Sequence, residues 1–168
     1  CSSDLANPLF KTSRRICTLN SDYDNIDLTA VSEDYLQRCN YAIACTTNEY
    51  INRVPTTAWG TKYDDDYRLC MRKMLNQGGE RTLMIAIIPP ASEHINGNFG
   101  MCLREGLASI AASTFSLPYD FYVKATGKSN INYSLALGFP VLEKSTLQEK
   151  AICRALMLNC ITKFYAEL

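Results

Sequence analysis

The chain has 168 residues, and its seventeen basic and seventeen acidic side chains cancel. This length can bury a core without metal ions or disulfides, so we expect one domain over residues 1–168. The balanced charge argues against coating of nucleic acid by bulk charge, although a local basic face stays compatible with it. The sequence has no apolar leader and no apolar run long enough to span a bilayer. We therefore expect a cytoplasmic protein with no membrane partner.

The eight cysteines are too sparse for a disulfide scaffold, and none forms the C-x-x-C pair of a metal clamp. We expect them to be reduced thiols, as in a cytosolic protein.

The first third of the chain predicts little regular structure. A short strand is expected at residues 15–19. Residues 32–39 are expected to form a short helix, because the Ser32 hydroxyl can accept hydrogen bonds from the free amides of the first turn. Residues 41–45 are predicted to be a strand, and residues 46–66 a long exposed loop.

The middle of the chain predicts a β-hairpin. From Tyr67 onward apolar and basic residues alternate, which favours a half-buried strand, with a helix through residues 73–75 as the competing interpretation. The following letters N-Q-G-G are typical of a turn, because glycine reaches unusual backbone angles without steric cost. Residues 82–88 are apolar and end at two prolines, which predicts a central buried strand.

Helices are predicted for most of the second half. Residues 103–115 and 117–124 are rich in helix-forming residues, with a break at Pro118. Residues 131–137 are expected to form a short strand, and residues 145–168 a long final helix opened by a capping box. These elements predict an α/β (α+β) fold: a curved, mostly antiparallel sheet with flanking helices and a long C-terminal helix.

The usual motifs of cofactor binding and catalysis are missing from the sequence. There is no G-x-G-x-x-G, no phosphate-binding P-loop and no H-E-x-x-H. The single histidine, His94, is expected to be exposed in a polar loop, and no catalytic triad can be assembled around it. The acidic run Asp64, Asp65 and Asp66 is more typical of a solvated turn than of a metal site. We expect no catalytic residue, metal site or cofactor in this chain, with a metal-dependent nuclease fragment as one alternative.

Basic side chains interleaved with tyrosines indicate a nucleic-acid-binding surface. Such side chains contact phosphates, and an arginine can also read the edge of a guanine in the major groove. The predicted DNA-binding residues are Arg68, Arg72, Arg81, Lys124, Lys128 and Asn130. The competing interpretation is that they cap strand ends and extend from the core to solvent. For Arg81 a structural role in the hairpin is slightly favoured over base contact.

Three stretches resemble one known family. YRLCMRKMLNQGGERTLMIAIIPP, STFSLPYDFYVKATGKSNINYSLALGFPVLE and RALMLNCITKFYAEL occur in the order found in the target-recognition region of adenine-specific DNA methyltransferases. These are type IIG-like enzymes of bacterial restriction–modification and phage-exclusion systems. The resemblance covers residues 67–168, and it departs from the family where this chain has GGERT in place of the usual TNERT.

The resemblance implies a sequence-specific reader of double-stranded DNA. The methyltransferase domain of the same parent polypeptide would hold S-adenosylmethionine and methylate the positioned base, and some parents would also cleave DNA. This chain has neither the glycine-rich motif nor the Asn-Pro-Pro-aromatic motif of that domain, so the resemblance implies a non-enzymatic module. A further alternative is a protein-interaction module that docks through the apolar final helix, residues 151–168.

Overall fold

The fold of the chain is mixed α+β, as predicted. The structure is a computed structural model, and it describes residues 11–13, 19–27, 29–36, 42–141 and 146–168. The strands are β1 Lys11–Ser13, β2 Tyr23–Asn25, β3 Arg68–Arg72, β4 Ile85–Ile88 and β5 Asn98–Cys102. The α-helices are α1 Thr47–Arg53, α2 Leu107–Thr114, α3 Leu117–Ala125, α4 Tyr133–Leu137 and α5 Thr146–Asn159, with 3₁₀ turns at Asn20–Asp22 and Lys163–Tyr165. None of the helices in these ranges is both long and apolar enough to traverse a bilayer.

The main sheet is antiparallel and has the order β4-β3-β5, with β1 and β2 forming a separate pair. The predicted hairpin is confirmed, since β3 pairs with β4 in antiparallel register. The expectation of a central strand at residues 82–88 is wrong in two respects: β4 lies at the sheet edge, and it begins only at Ile85. The third strand, β5, was not predicted from the sequence. Its sequence is N-F-G-M-C. The asparagine and the glycine are more typical of a loop than of a strand, so the segment gives no clear strand pattern.

One face of β3 builds the core. Leu69 and Met71 have no exposed surface, and they pack in one cluster with Ile87 of β4, Ala111 of α2 and Val123 of α3. Burying an aliphatic side chain of this size contributes about 1.5–3 kcal/mol. Helix α5 packs against α2 on the outside of this cluster.

Helices α2 and α3 lie where the sequence predicts them. The Ser116 hydroxyl accepts a hydrogen bond from the Tyr119 amide at 3.4 Å and so caps α3. Pro118 falls in the first turn, where a helix needs no amide hydrogen, so it starts α3 rather than interrupting it. Gly127 follows the helix with a φ of +63°, a left-handed conformation that glycine adopts without strain.

Two local predictions fail where a polar residue caps a short helix. Residues 131–137 were expected to form a strand, but Asn132 accepts a hydrogen bond from the Leu135 amide at 3.0 Å and starts α4. Thr46 likewise accepts from the Glu49 amide at 3.3 Å and starts α1 within the expected loop.

Other expectations near the ends of the chain are also corrected. Residues 42–45 are not a strand, and α5 ends at Asn159 rather than at residue 168. In place of the helix expected at residues 32–39, the described part forms a turn closed by the Tyr35 amide on the Ser32 carbonyl at 2.9 Å. The strand expected at residues 15–19, apart from Leu19, and the proposed cap at Ser145 lie outside the described residues.

His94 packs onto the sheet instead of standing in solvent as expected. Its ring lies over Gly100 of β5, and a Cβ added to that glycine would come within 2.3 Å of the histidine Nε2. The absence of a side chain at Gly100 is therefore what allows the loop before β5 to close over the strand.

We expect Gly100→Ala to lower the free energy of unfolding by about 1–3 kcal/mol, because His94 must leave its place. Urea denaturation followed by circular dichroism measures this. Gly78→Ala is the matched control, since a Cβ there meets nothing closer than 3.8 Å. Equal midpoints for the two variants would contradict the prediction.

Candidate nucleic-acid interface

Two polar segments that are distant in sequence lie side by side at the end of β3. We call residues 73–79 and 124–130 together the basic turn surface. The Lys73 carbonyl accepts a hydrogen bond from the Ile131 amide at 2.8 Å, which joins the chain leaving β3 to the chain approaching α4. Main-chain bonding thus fixes the two segments against each other.

Side chains add to this connection. The Gln77 amide Nε2 donates to the Lys128 carbonyl at 2.6 Å, and the Lys124 ammonium donates to the Gly79 carbonyl at 3.0 Å. The turn that carries Gln77 and Gly79 is therefore held by the segment after α3.

The charge of the basic turn surface is entirely positive. Its segments read KMLNQGG and KATGKSN, with three lysines and no acidic residue. Lys128 and Asn130 are exposed, and Lys73 and Lys124 are half-buried. The Lys73 ammonium is oriented by the Asn96 side-chain oxygen at 2.9 Å. A local positive patch of this kind exists although the whole chain is neutral.

Three of the six predicted DNA-binding residues, Lys124, Lys128 and Asn130, belong to this surface. Arg81 lies next to it and is used internally. Its Nε is 3.6 Å from the Asp120 carboxylate, and its Nη2 donates to the Phe115 carbonyl at 3.2 Å. These contacts join Arg81 to α3 and to the residue that ends α2, rather than to the hairpin in which the sequence favoured a structural role.

Arg68 and Arg72 lie on the second face of β3, which is the face opposite Leu69 and Met71. Arg68 has no exposed surface, and its guanidinium donates to the Ser92 carbonyl. Arg72 is half-buried, with its Nη1 3.9 Å from the Met84 sulfur. Arg68 is inaccessible to a phosphate in this arrangement, and Arg72 lies in β3 outside residues 73–79, so neither arginine is included in the basic turn surface.

Lys73 and Gln77 join the surface although they were not among the predicted site residues. Their position depends on pairing with a segment some fifty residues later, such as Gln77 with Lys128. In the sequence, Lys73 is one of the basic side chains interleaved with tyrosines and Gln77 is part of the N-Q-G-G turn, but neither signal identifies the partner segment.

Two carboxylates of the acidic run, residues 64–66, accept hydrogen bonds within a turn. The Asp66 carboxylate accepts hydrogen bonds from the Trp59 indole at 3.2 Å and the Thr61 hydroxyl at 2.6 Å. The Asp65 carboxylate accepts from the Lys62 amide at 2.9 Å. In the described parts of the chain, no group of three or more His, Cys, Asp or Glu side chains is arranged to hold a metal ion.

The described cysteines are free, and the Cys102 thiol donates to the Asp66 carboxylate at 3.6 Å. Burial raises the pKa of the Cys70 thiol to about 12. Burial, and then the nearby Asp66 carboxylate, raise the pKa of Cys102 to about 11. Both side chains are therefore protonated thiols at neutral pH, as expected of structural cysteines.

No protein-family model, no curated protein and no solved structure matches this chain. The resemblance to target-recognition regions accordingly stays a prediction.

Proposed function

We propose that the chain binds double-stranded DNA through the basic turn surface. The observation that carries the proposal is the joining of two acid-free segments, which place Lys73, Lys124 and Lys128 on one surface of an otherwise neutral chain. Lysine ammonium groups contact phosphates, and binding is strengthened by the counterions that they release from DNA.

The amide side chains give this surface a means of reading bases. Asn130 is exposed and its side chain is engaged only with the neighbouring Ser129 hydroxyl, at 3.3 Å. Asparagine and glutamine can donate to and accept from the adenine edge in the major groove at the same time. The lysines would contact the DNA backbone and fix its position, and the amide would read a base. Together these two kinds of contact make a minimal specific interface.

In the fuller form of the proposal, the chain is the target-recognition module of an adenine-specific restriction–modification methyltransferase. It would position the target base, while the methyltransferase domain of the parent polypeptide supplies S-adenosylmethionine and the chemistry. Support for this form comes from the sequence resemblance over residues 67–168 and from an α+β fold with the predicted hairpin and helices α2 and α3.

The test of DNA binding is a salt titration. Fluorescence anisotropy with a random duplex library should give affinity that falls steeply with salt for the unaltered chain. Replacing Lys124 and Lys128 together by alanine should weaken binding and lower the slope of log K against log salt by about 1–2, because each phosphate contact contributes close to one unit. Enrichment of one motif from the library would establish sequence specificity.

The matched control removes two positive charges elsewhere. Lys150 and Arg154 are exposed on α5, outside the basic turn surface, and their joint replacement by alanine should leave the slope unchanged. Absence of binding at low and moderate salt, or equal slopes for the two double variants, would refute the proposed interface.

A second candidate function is protein interaction through α5. Leu147, Met157 and Leu158 are each more than 70% exposed on this helix, which is more apolar surface than a free helix face usually carries. If this is the function, Met157→Lys should abolish self-association or capture of a partner in sedimentation experiments and leave DNA binding intact.

A further inference from the structure

A pocket on the second face of the main sheet lies apart from the basic turn surface. It has a volume of about 300 Å³ and opens between α1 and the loop that carries Glu93. Its lining residues are Cys45, Tyr50, Arg53, Val54, Pro55, Tyr63 and Glu93. The pocket thus combines two tyrosines and an apolar wall with one carboxylate, the composition typical of a small-molecule site.

The buried Arg68 lies directly behind this lining. Its guanidinium carbon is 5.4 Å from the centre of the Tyr63 ring, and its Nη1 is 3.9 Å from a Glu93 carboxylate oxygen. The arginine has no exposed surface, and its Nε and Nη1 have no hydrogen-bond partner among the described residues. A buried cation therefore supports two walls of the pocket from behind and fixes their orientation.

Glu93 presents its carboxylate to the pocket. Its side chain is 40% exposed, and 3.9 Å from Arg68 is too long for a hydrogen bond. The Tyr50 hydroxyl is close enough to be affected by it: burial, and then the charge of Glu93, raise the pKa of Tyr50. The carboxylate has more acceptor sites than these contacts use, so it can receive hydrogen bonds from a ligand.

The charges around the pocket favour a neutral ligand. Arg53 is paired with Glu49 at 2.5 Å. The charge that offsets Glu93 is Arg68, 3.9 Å away. A cation would meet Arg68 behind Tyr63, whereas an anion would meet Glu93. A neutral planar ring that donates N–H groups avoids both repulsions, and it can stack on tyrosine as nucleobases do on aromatic side chains.

We propose that this pocket binds an unpaired nucleobase and prefers guanine. Guanine carries two adjacent donors in the plane of its ring, the N1–H and the 2-amino group, and these match the two oxygens of the Glu93 carboxylate. In a duplex the guanine N1–H donates its hydrogen bond to cytosine and is unavailable to the protein. The ligand is therefore a free nucleotide or a guanine in a single strand. This site is independent of the duplex-binding surface.

The test follows the amide resonances of Tyr63 and Glu93 by nuclear magnetic resonance while guanosine monophosphate is added to the unaltered 168-residue chain. We expect saturable shifts. Inosine monophosphate, which lacks only the 2-amino group, should bind about tenfold more weakly, as expected for one lost hydrogen bond to a charged group. Ribose 5-phosphate should produce no shift at these residues.

A second titration distinguishes the two sources of the base. A short oligothymidylate with one central guanine is compared with the same oligomer without it. Shifts that require the guanine assign a single-stranded ligand, and shifts with the mononucleotide alone assign a free nucleotide. No saturable shift with either probe, equal affinity for the guanine and inosine nucleotides, or the same shifts with ribose 5-phosphate would overturn the proposal.

Glu93→Gln tests the acceptor directly. It retains the size of the side chain and should weaken guanosine monophosphate binding about tenfold. Glu105→Gln, an exposed glutamate before α2, is the matched control and should bind as the unaltered chain does. If Glu93→Gln loses the spectrum of a folded protein because Arg68 is left without its carboxylate, the comparison of guanine with inosine nucleotides on the unaltered chain decides the outcome.

Discussion

Asp120→Ala is expected to lower the free energy of unfolding by about 2–5 kcal/mol. The Asp120 side chain is almost fully buried on α3, and one of its oxygens accepts from the Thr82 amide at 2.9 Å and the Leu83 amide at 2.6 Å. Alanine would leave both buried amides without a partner, and each such loss costs about 1–3 kcal/mol. Chemical denaturation monitored by circular dichroism measures the change.

Asp120→Asn is the informative control for this prediction. Its amide oxygen can still accept from both main-chain groups, while the attraction to Arg81, 3.6 Å from the carboxylate, is lost. We expect the asparagine variant to keep much more stability than the alanine variant. Equal stability of the two would mean that the hydrogen bonds to Thr82 and Leu83 do not hold α3 to the hairpin.

Asn159→Leu is expected to cost about 2–4 kcal/mol and to promote self-association. The Asn159 side chain accepts from the Ile87 amide at 2.9 Å and donates to the Ile87 carbonyl at 3.0 Å, so it occupies the outer edge of β4 as a neighbouring strand would. Tyr165 donates to the same carbonyl at 2.9 Å. Leucine is similar in size and leaves the Ile87 amide unpaired at an open sheet edge, which is a site of strand addition.

Denaturation gives the stability change, and light scattering over a range of protein concentrations gives the association. Arg154→Ala is the control, because this side chain of α5 is exposed and should tolerate truncation. An Asn159→Leu variant as stable and monomeric as the control would contradict the edge-protecting role.

The elements that the sequence predicted are those whose signal is local. Alternation identified β3, and two prolines marked the end of β4. Strand β5 could not be predicted, because its Gly100 and Asn98 look like loop residues until His94 and β3 are placed against them. The short helix α4 was predicted as a strand because one capping side chain, Asn132, outweighs an apolar run.

The site residues also differ in whether their positions could be predicted from local sequence. Lys124, Lys128 and Asn130 lie in or beside a polar loop, and the structure brings them together with Lys73. The burial of Arg68 could not be predicted, since the alternation of β3 places it opposite the core but does not reveal that Tyr63 and Glu93 cover that face. Whether a face of a sheet is open to solvent depends on segments elsewhere in the chain.

The burial of Arg68 has a consequence for the pairing of the sheet. A slip of β3 by one residue would exchange its two faces, moving Arg68 and Arg72 into the apolar cluster now filled by Leu69 and Met71. Placing an unpaired guanidinium there costs several kcal/mol, far more than losing one strand hydrogen bond. The arginines thus make any alignment of the central strand that is shifted by one residue unfavourable.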